Sequence, residues 1–169
     1  LELNIKDVYA IGECAEQREA ISNRRPIEAV WDTGRMMGET LAQTICGNKT
    51  EYKPGHWFNS AKFLDIEYQT YGWVNGKKGK PDYEAHFHWK HEDYTKCMTI
   101  AYHRDTNQFL GINTFDIRVR HDVFDKWLTE KRDLDYVINH LEAANFDPEF
   151  YKRFENQIKA SYNNTLQTN

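Results

Sequence analysis

Several things are scarce in this 169-residue chain, and each scarcity excludes something. Cysteine occurs three times, as Cys14, Cys46 and Cys97, with no CxxC pair. An odd, scattered set does not make a disulfide framework or a dithiol redox centre, and it fits a reducing, cytoplasmic setting. No run of eighteen apolar residues exists, so the sequence offers no transmembrane helix, and no charged-then-apolar leader opens it. Excess charge is also missing. The formal balance is −4, with acids and bases interspersed, which gives no electrostatic reason to expect nucleic acid or an anionic membrane as partner. Nowhere does a GxGxxG fingerprint follow a strand, so the turn that cradles a dinucleotide pyrophosphate is not encoded here.

What is present is a folding composition. Apolar residues make up 40% and aromatics 14%, including five Trp and ten Tyr. Such a chain can build one ordinary core, or one domain plus a segment of another.

The organisation changes once along the chain. Residues 7–11, DVYAI, read as a buried strand ending at Gly12. A polar loop follows to Arg25, and Pro26 stands where a helix could begin. Ile27, Val30, Trp31, Met37, Leu41 and Ile45 then recur at helical spacing. Gly34 and Gly38 lie on the same stripe, which makes sense if another backbone or a flat ligand comes close. Gly47 closes the helix. The stretch 48–57 has a linker composition, and a boundary is placed within it. Residues 1–54 form one segment and 55–169 another.

The second segment reads as α+β, a small antiparallel sheet followed by helices. Residues 62–74, 83–89, 96–103 and 108–119 are strand-like, the last two joined as a hairpin through RDTN. Gly111 marks a bulge or a close approach. Residues 121–144 are helical, with a break near Thr129, which could cap a fresh turn. Asp147-Pro148-Glu149 is a helix-start signal for a last helix with an apolar stripe of Phe150, Phe154 and Ile158.

Chemistry is sparse. Glu13 and Cys14 follow a predicted strand, where α/β sheets bind ligands, and a carboxylate there can accept hydrogen bonds from sugar hydroxyls. One acid after one glycine fits a solvated loop equally well. His86, His88 and His91 could suggest a metal, but no acid or cysteine completes a familiar spacing, so no metal ligand is assigned. A sheet face near water, or an aromatic cluster with Trp89 and Trp57, accounts for them better. Cys97 reads as core with an ordinary thiol. Asp116, Arg118, Arg120 and Asp122 read as a charged strip. No catalytic residue is assigned.

Order and spacing over 7–47 carry more than any single residue. Val8-Tyr9-Ala10-Ile11-Gly12-Glu13-Cys14-Ala15, then a loop, a glycine-bearing helix from Ala29 to Cys46, Gly47 and Tyr52, resembles the last segment of the flavin domain in FAD-dependent pyridine nucleotide-disulfide oxidoreductases. The ferredoxin and rubredoxin reductase branch and NAD(FAD)-dependent dehydrogenases look nearest. Gly72-Trp73-Val74 and residues 100–116 resemble strands of that family's C-terminal interface domain.

The resemblance implies a flavin-facing set: Gly12 and Glu13, where the family has Asp one methylene shorter, and the helix start at Ile27, Glu28, Ala29 and Val30, with Trp31 packing near the ring. It implies FAD in a full-length parent, NAD(P)H as cosubstrate, hydride transfer to FAD and electrons passed onward. With both dinucleotide fingerprints missing, the chain is expected to be a C-terminal portion, inactive and without bound FAD on its own. A homo-oligomer is expected, with an electron-transfer protein as partner of the parent. The competing class is a non-catalytic dimerisation or assembly module. A metal-dependent hydrolase using the histidines has little support beyond composition.

Overall fold

A computed structural model describes residues 1–21, 24–146 and 152–167. It divides into two compact units, Leu1–Asn59 and Ser60–Asn169.

The first unit has one regular element, α1 (Trp31–Ile45). The predicted strand at 7–11 is not formed. Tyr9 makes a single antiparallel bridge with Glu2. Leu3 N–H donates to Val8 C=O at 2.8 Å, and Asp7 has φ +62°. A turn thus folds the first residues back on 8–10, and within that turn Asp7 leaves the extended region. Val8, expected to be buried, is 41% exposed.

The helix also begins later than Pro26 suggested. Pro26 C=O instead accepts from Gln17 N–H at 2.9 Å, and Glu28 is held by Arg24, so 26–30 lie outside the helix. Val30 is the N-cap, with extended backbone and no side-chain cap. At the other end Gly47 takes φ +91°, the left-handed stop expected of it. A Cβ on Gly34 would lie 3.6 Å from Gly12 Cα and one on Gly38 3.8 Å from Ile11 Cδ1, so the glycine stripe faces backbone at one position and a side chain at the other.

The second unit is built on a five-stranded sheet in the order β1-β2-β5-β4-β3. The strands are β1 (Phe58–Phe63), β2 (Ile66–Gly72), β3 (Glu84–Lys90), β4 (Cys97–His103) and β5 (Phe109–Phe115). Residues 62–74, read as one strand, are cut by a turn at Leu64-Asp65, where Leu64 has φ +53°. The helices are α2 (His121–Thr129), α3 (Leu134–Asn139) and α4 (Glu155–Gln167), with a 3-10 turn at Leu141–Ala144. The class is α+β, as the sequence indicated.

Alternation sorts the sheet into two faces. Register aligns Tyr71, Ile112, Ile100 and Phe87 in one cross-strand row. All four are buried, and the helices cover them. Phe124 of α2 stacks on Tyr71 at 5.7 Å, and Tyr162 of α4 meets Phe87 edge-on at 5.2 Å. On the opposite face His86, Ala101, Gly111 and Gly72 align. A Cβ on Gly111 would sit 2.4 Å from Trp73 C=O, which fixes glycine there. The strand register also shifts between Ala101 and Tyr102, so Gly111 marks the close approach its position suggested.

The break after α2 falls where expected, but Thr129 does not cap the next helix. Asp133 does, its Oδ1 accepting from Tyr136 N–H at 2.6 Å. Aspartate is a stronger cap than threonine, and Thr129 still belongs to α2. Asp147, Pro148, Glu149 and Phe150 lie outside the described residues. Residues 152–154 are not helical and α4 begins only at Glu155, later than the start signal indicated, so Phe154 lies just ahead of the helix, although it and Ile158 are both buried.

Candidate functional site

The residues singled out for a flavin lie in the first unit. Gly12 turns the chain with φ +88°, and its N–H donates to Met37 Sδ at 3.3 Å. Glu13 and Cys14 are exposed, the thiol 3.7 Å from Ile11 C=O. The Glu13 carboxylate therefore stands in solvent after the turn, able to accept hydroxyl hydrogen bonds. Ile27 and Ala29 are exposed, Val30 is half-buried, and Trp31 is 73% exposed. The first turn of α1 thus begins without a side-chain acceptor and beside exposed apolar groups. Its leading N–H groups carry the positive end of the helix dipole.

Glu28 behaves differently from its neighbours. Its carboxylate is buried and clamps Arg24 through two parallel hydrogen bonds, Nε to Oε1 at 2.7 Å and Nη2 to Oε2. Thr33 Oγ1 donates to the same carboxylate at 3.1 Å. Arg24 Nη1 also donates to Pro54 and His56 C=O, and the guanidinium lies 5.3 Å over the Trp57 ring. This bidentate pair ties the pre-helix segment, α1 and residues 54–57 together. The Glu28 side chain is thus structural, whatever its backbone does. Arg24 drew no attention in the sequence. The only signal was its i,i+4 spacing to Glu28, which also fits a helix surface.

The histidines are used individually. His86 Nε2 pairs with the buried Glu84 carboxylate, which Asn75 also holds through its N–H at 2.9 Å. His88 Nδ1 meets Thr99 Oγ1 at 2.8 Å. His91 pairs with Asp93 at 2.7 Å and packs against Trp89 and Phe154. Among the described residues no three His, Cys, Asp or Glu gather as a metal site. The Asp93 carboxyl is held well below the usual range, first by Thr95 N–H, then by the Thr95 hydroxyl and His91. Burial, with Asp116 nearby, pushes the Cys97 thiol up rather than leaving it ordinary, which suits a packed thiol and not a nucleophile. The charged strip is paired: Arg118 with Glu67 at 2.9 Å and Arg120 with Asp122 at 2.7 Å.

No protein-family model matches the sequence. Solved structures do match the fold. An FAD-dependent pyridine nucleotide-disulphide oxidoreductase from Desulfovibrio vulgaris aligns with 96% of this chain at TM-score 0.62 and 13% identity. This is the fold of the C-terminal part of an FAD-dependent pyridine nucleotide-disulfide oxidoreductase. An NAD-dependent persulfide reductase from A. fulgidus aligns over 95% at TM-score 0.61 and 18% identity. Reduced CoADR-RHD from Bacillus anthracis aligns over 95% at 0.59 and 19%. This chain spans 39%, 32% and 31% of those three chains. Among the described residues no helix is long and apolar enough to cross a membrane.

Proposed function

We propose that this chain is the C-terminal portion of a flavin-dependent NAD(P)H oxidoreductase of the cytoplasm. The observation that carries the reading is the match of fold over nearly the whole chain, joined to the Gly12-Glu13 turn ahead of an uncapped helix. In it, residues 1–54 are the last segment of the flavin domain and 55–169 the interface domain.

The residues present fit a flavin in chemical type. Glu13 would accept from ribityl hydroxyls, and the N–H groups opening α1 would face the pyrimidine edge of the ring. Trp31 would cover the ring with its exposed indole. Gly12 would contribute its turn rather than its N–H, which Met37 takes. The flavin supplies hydride acceptance and one- or two-electron release. The phosphate-binding turns come from sequence this chain does not encode, so the chain by itself is inactive and binds FAD weakly.

Intact mass of the natural gene product, taken with an absorbance scan, tests this. A mass of about 45 kDa or more, room for two further nucleotide-binding domains, with a flavin band supports it. A mass equal to the 20.1 kDa of this chain, without flavin, overturns it. Titration of the chain alone should show no stoichiometric FAD binding at micromolar concentration.

One observation favours a second reading, a non-catalytic assembly module. Ile5, Trp31 and Ile45, large apolar side chains of the first unit, are 61%, 73% and 67% exposed, surface that a partner could cover. Homo-oligomerisation belongs to both readings, and an electron-transfer protein partner only to the first. Light scattering that gives a monomer at high concentration would sink the oligomer.

A further inference from the structure

A cavity of about 350 Å³ opens in the second unit, near the start of α4. Met98, Leu141 and Ile158 line it and are almost fully buried, so much of its wall is apolar. Glu155, the first residue of α4, also lines it. Only 7% of Glu155 is exposed, and its Oε2 is buried with no hydrogen-bond partner among the described residues. A buried polar oxygen left without a donor costs about 1–3 kcal/mol, and buried polar atoms are otherwise nearly always satisfied. Lys152 and Arg153 line the same cavity and are exposed. Lys96, also lining it, lies 5.9 Å over the Phe154 ring.

We propose that this cavity binds a small amphipathic anion: an apolar body, a hydroxyl donating to Glu155 Oε2, and a carboxylate toward Lys152 and Arg153. Each part follows from one feature. The orphan oxygen has lone pairs and no donor facing it, so it selects a hydroxyl. The apolar wall selects a hydrocarbon body; of the other charges lining the cavity, Glu67 is paired with Arg118 and Asp116 accepts from Glu67 N–H, so the two exposed cations are the ones left to select an anion. The volume is at the lower end for ligand sites, which limits the ligand to about one ring. None of this depends on the flavin reading, because every residue named lies in the second unit.

The test is a titration of the isotope-labelled full chain, followed by amide NMR, with two probes. These are 3-(4-hydroxyphenyl)propanoate and 3-phenylpropanoate, which differ only in the hydroxyl. The hydroxylated probe should bind saturably, shift the amides of Met98, Leu141, Glu155 and Ile158, and bind about tenfold tighter than its analogue. Glu155→Leu should erase that preference while leaving 3-phenylpropanoate binding in place. Lys152→Glu with Arg153→Glu should weaken both probes alike. The proposal is overturned by no saturation at about 10 mM, by equal affinity of the two probes for the unsubstituted chain, or by shifts confined to residues 1–59. A buried water satisfying Glu155 would give the first of these outcomes. The two-probe comparison needs no variant, so it decides even if Glu155→Leu fails to fold.

Discussion

The two units are held together by different physics. Among the described residues, the first buries only Met37 and Tyr52 as hydrophobics, alongside Arg24, Glu28 and Thr33. The second buries a contiguous set, from Tyr71 and Phe87 on the sheet to Phe124, Val137 and Ile158 on the helices. One unit is organised around a desolvated ion pair, the other around a close-packed core. A buried pair fixes geometry well but adds little net stability, because each charge has lost its water. Apolar burial is non-directional and adds stability in proportion to area. The first unit is therefore held chiefly by specific polar contacts, and the second chiefly by its apolar core.

This contrast can be broken. Phe124 is fully buried between Tyr71, Phe109 and Trp127. Phe124→Ala should cost about 3–5 kcal/mol in denaturant unfolding of the second unit. A cost below about 1 kcal/mol would mean that the core is not what holds it.

Glu28→Ala leaves the Arg24 guanidinium buried without its counter-charge. Hydrogen exchange at the α1 amides should accelerate by the equivalent of about 3 kcal/mol, near the low end for breaking a buried pair. Ile45→Ala, at a residue 67% exposed, should change the same amides by less than about 0.5 kcal/mol. If the two variants rank the other way, apolar contact and not charge organises the first unit.

A further effect lies at alkaline pH. Burial pushes the Tyr71 phenol up from 10.0 to about 12, with Asp122 and Glu67 adding to it. Its hydroxyl donates to Val119 C=O at 3.3 Å. The folded state thus favours the protonated phenol more than the unfolded state does. That contribution is whole below pH 10 and is lost as pH rises toward 12. Tyr71→Phe should flatten this alkaline limb in pH-dependent melts. An unchanged limb would assign it to other groups.

The second unit was the more legible in sequence, for the same reason that it is stable. Phe87 and Trp89, Met98 and Ile100 alternate with polar residues, and that alternation is the sheet's burial pattern. The failures there were local. Leu64-Asp65 turns the chain without glycine, proline or asparagine, so nothing marked it. Thr129 was read as the cap, but it ends α2, and Asp133 four residues on takes that role.

In the first unit little periodicity exists outside α1, and pattern reading overreached. Val-Tyr-Ala-Ile has the composition of a strand, but it pairs only with the turned-back residues 1–3, with a single bridge between Tyr9 and Glu2. Pro26 is a good first helical residue in isolation. The Arg24 clamp on Glu28, with Gln17 on the Pro26 carbonyl, overrides it. Of the candidate site, the Gly12 turn and the exposed Glu13 were readable. Arg24 was not, because charge complementarity at i,i+4 has the same spacing on a helix and in a buried clamp. Glu155 carried no signal, because the start signal at Asp147-Pro148-Glu149 placed it well inside the expected helix.

The strand order β1-β2-β5-β4-β3 has a consequence for how the sheet comes into being. β3, β4 and β5 follow one another in sequence and zip as neighbours. Joining β2 to β5 instead closes a long loop, since Glu67 N–H reaches Asp116 Oδ1 across 49 positions. The entropy of that closure must be met before its contacts give anything back. A nascent chain should therefore carry a three-stranded meander first, with the β1–β2 hairpin recruited late. Pulse-labelled hydrogen exchange would show Ile100 and Ile112 protected ahead of Thr70. Simultaneous protection would mean that the sheet assembles in one step.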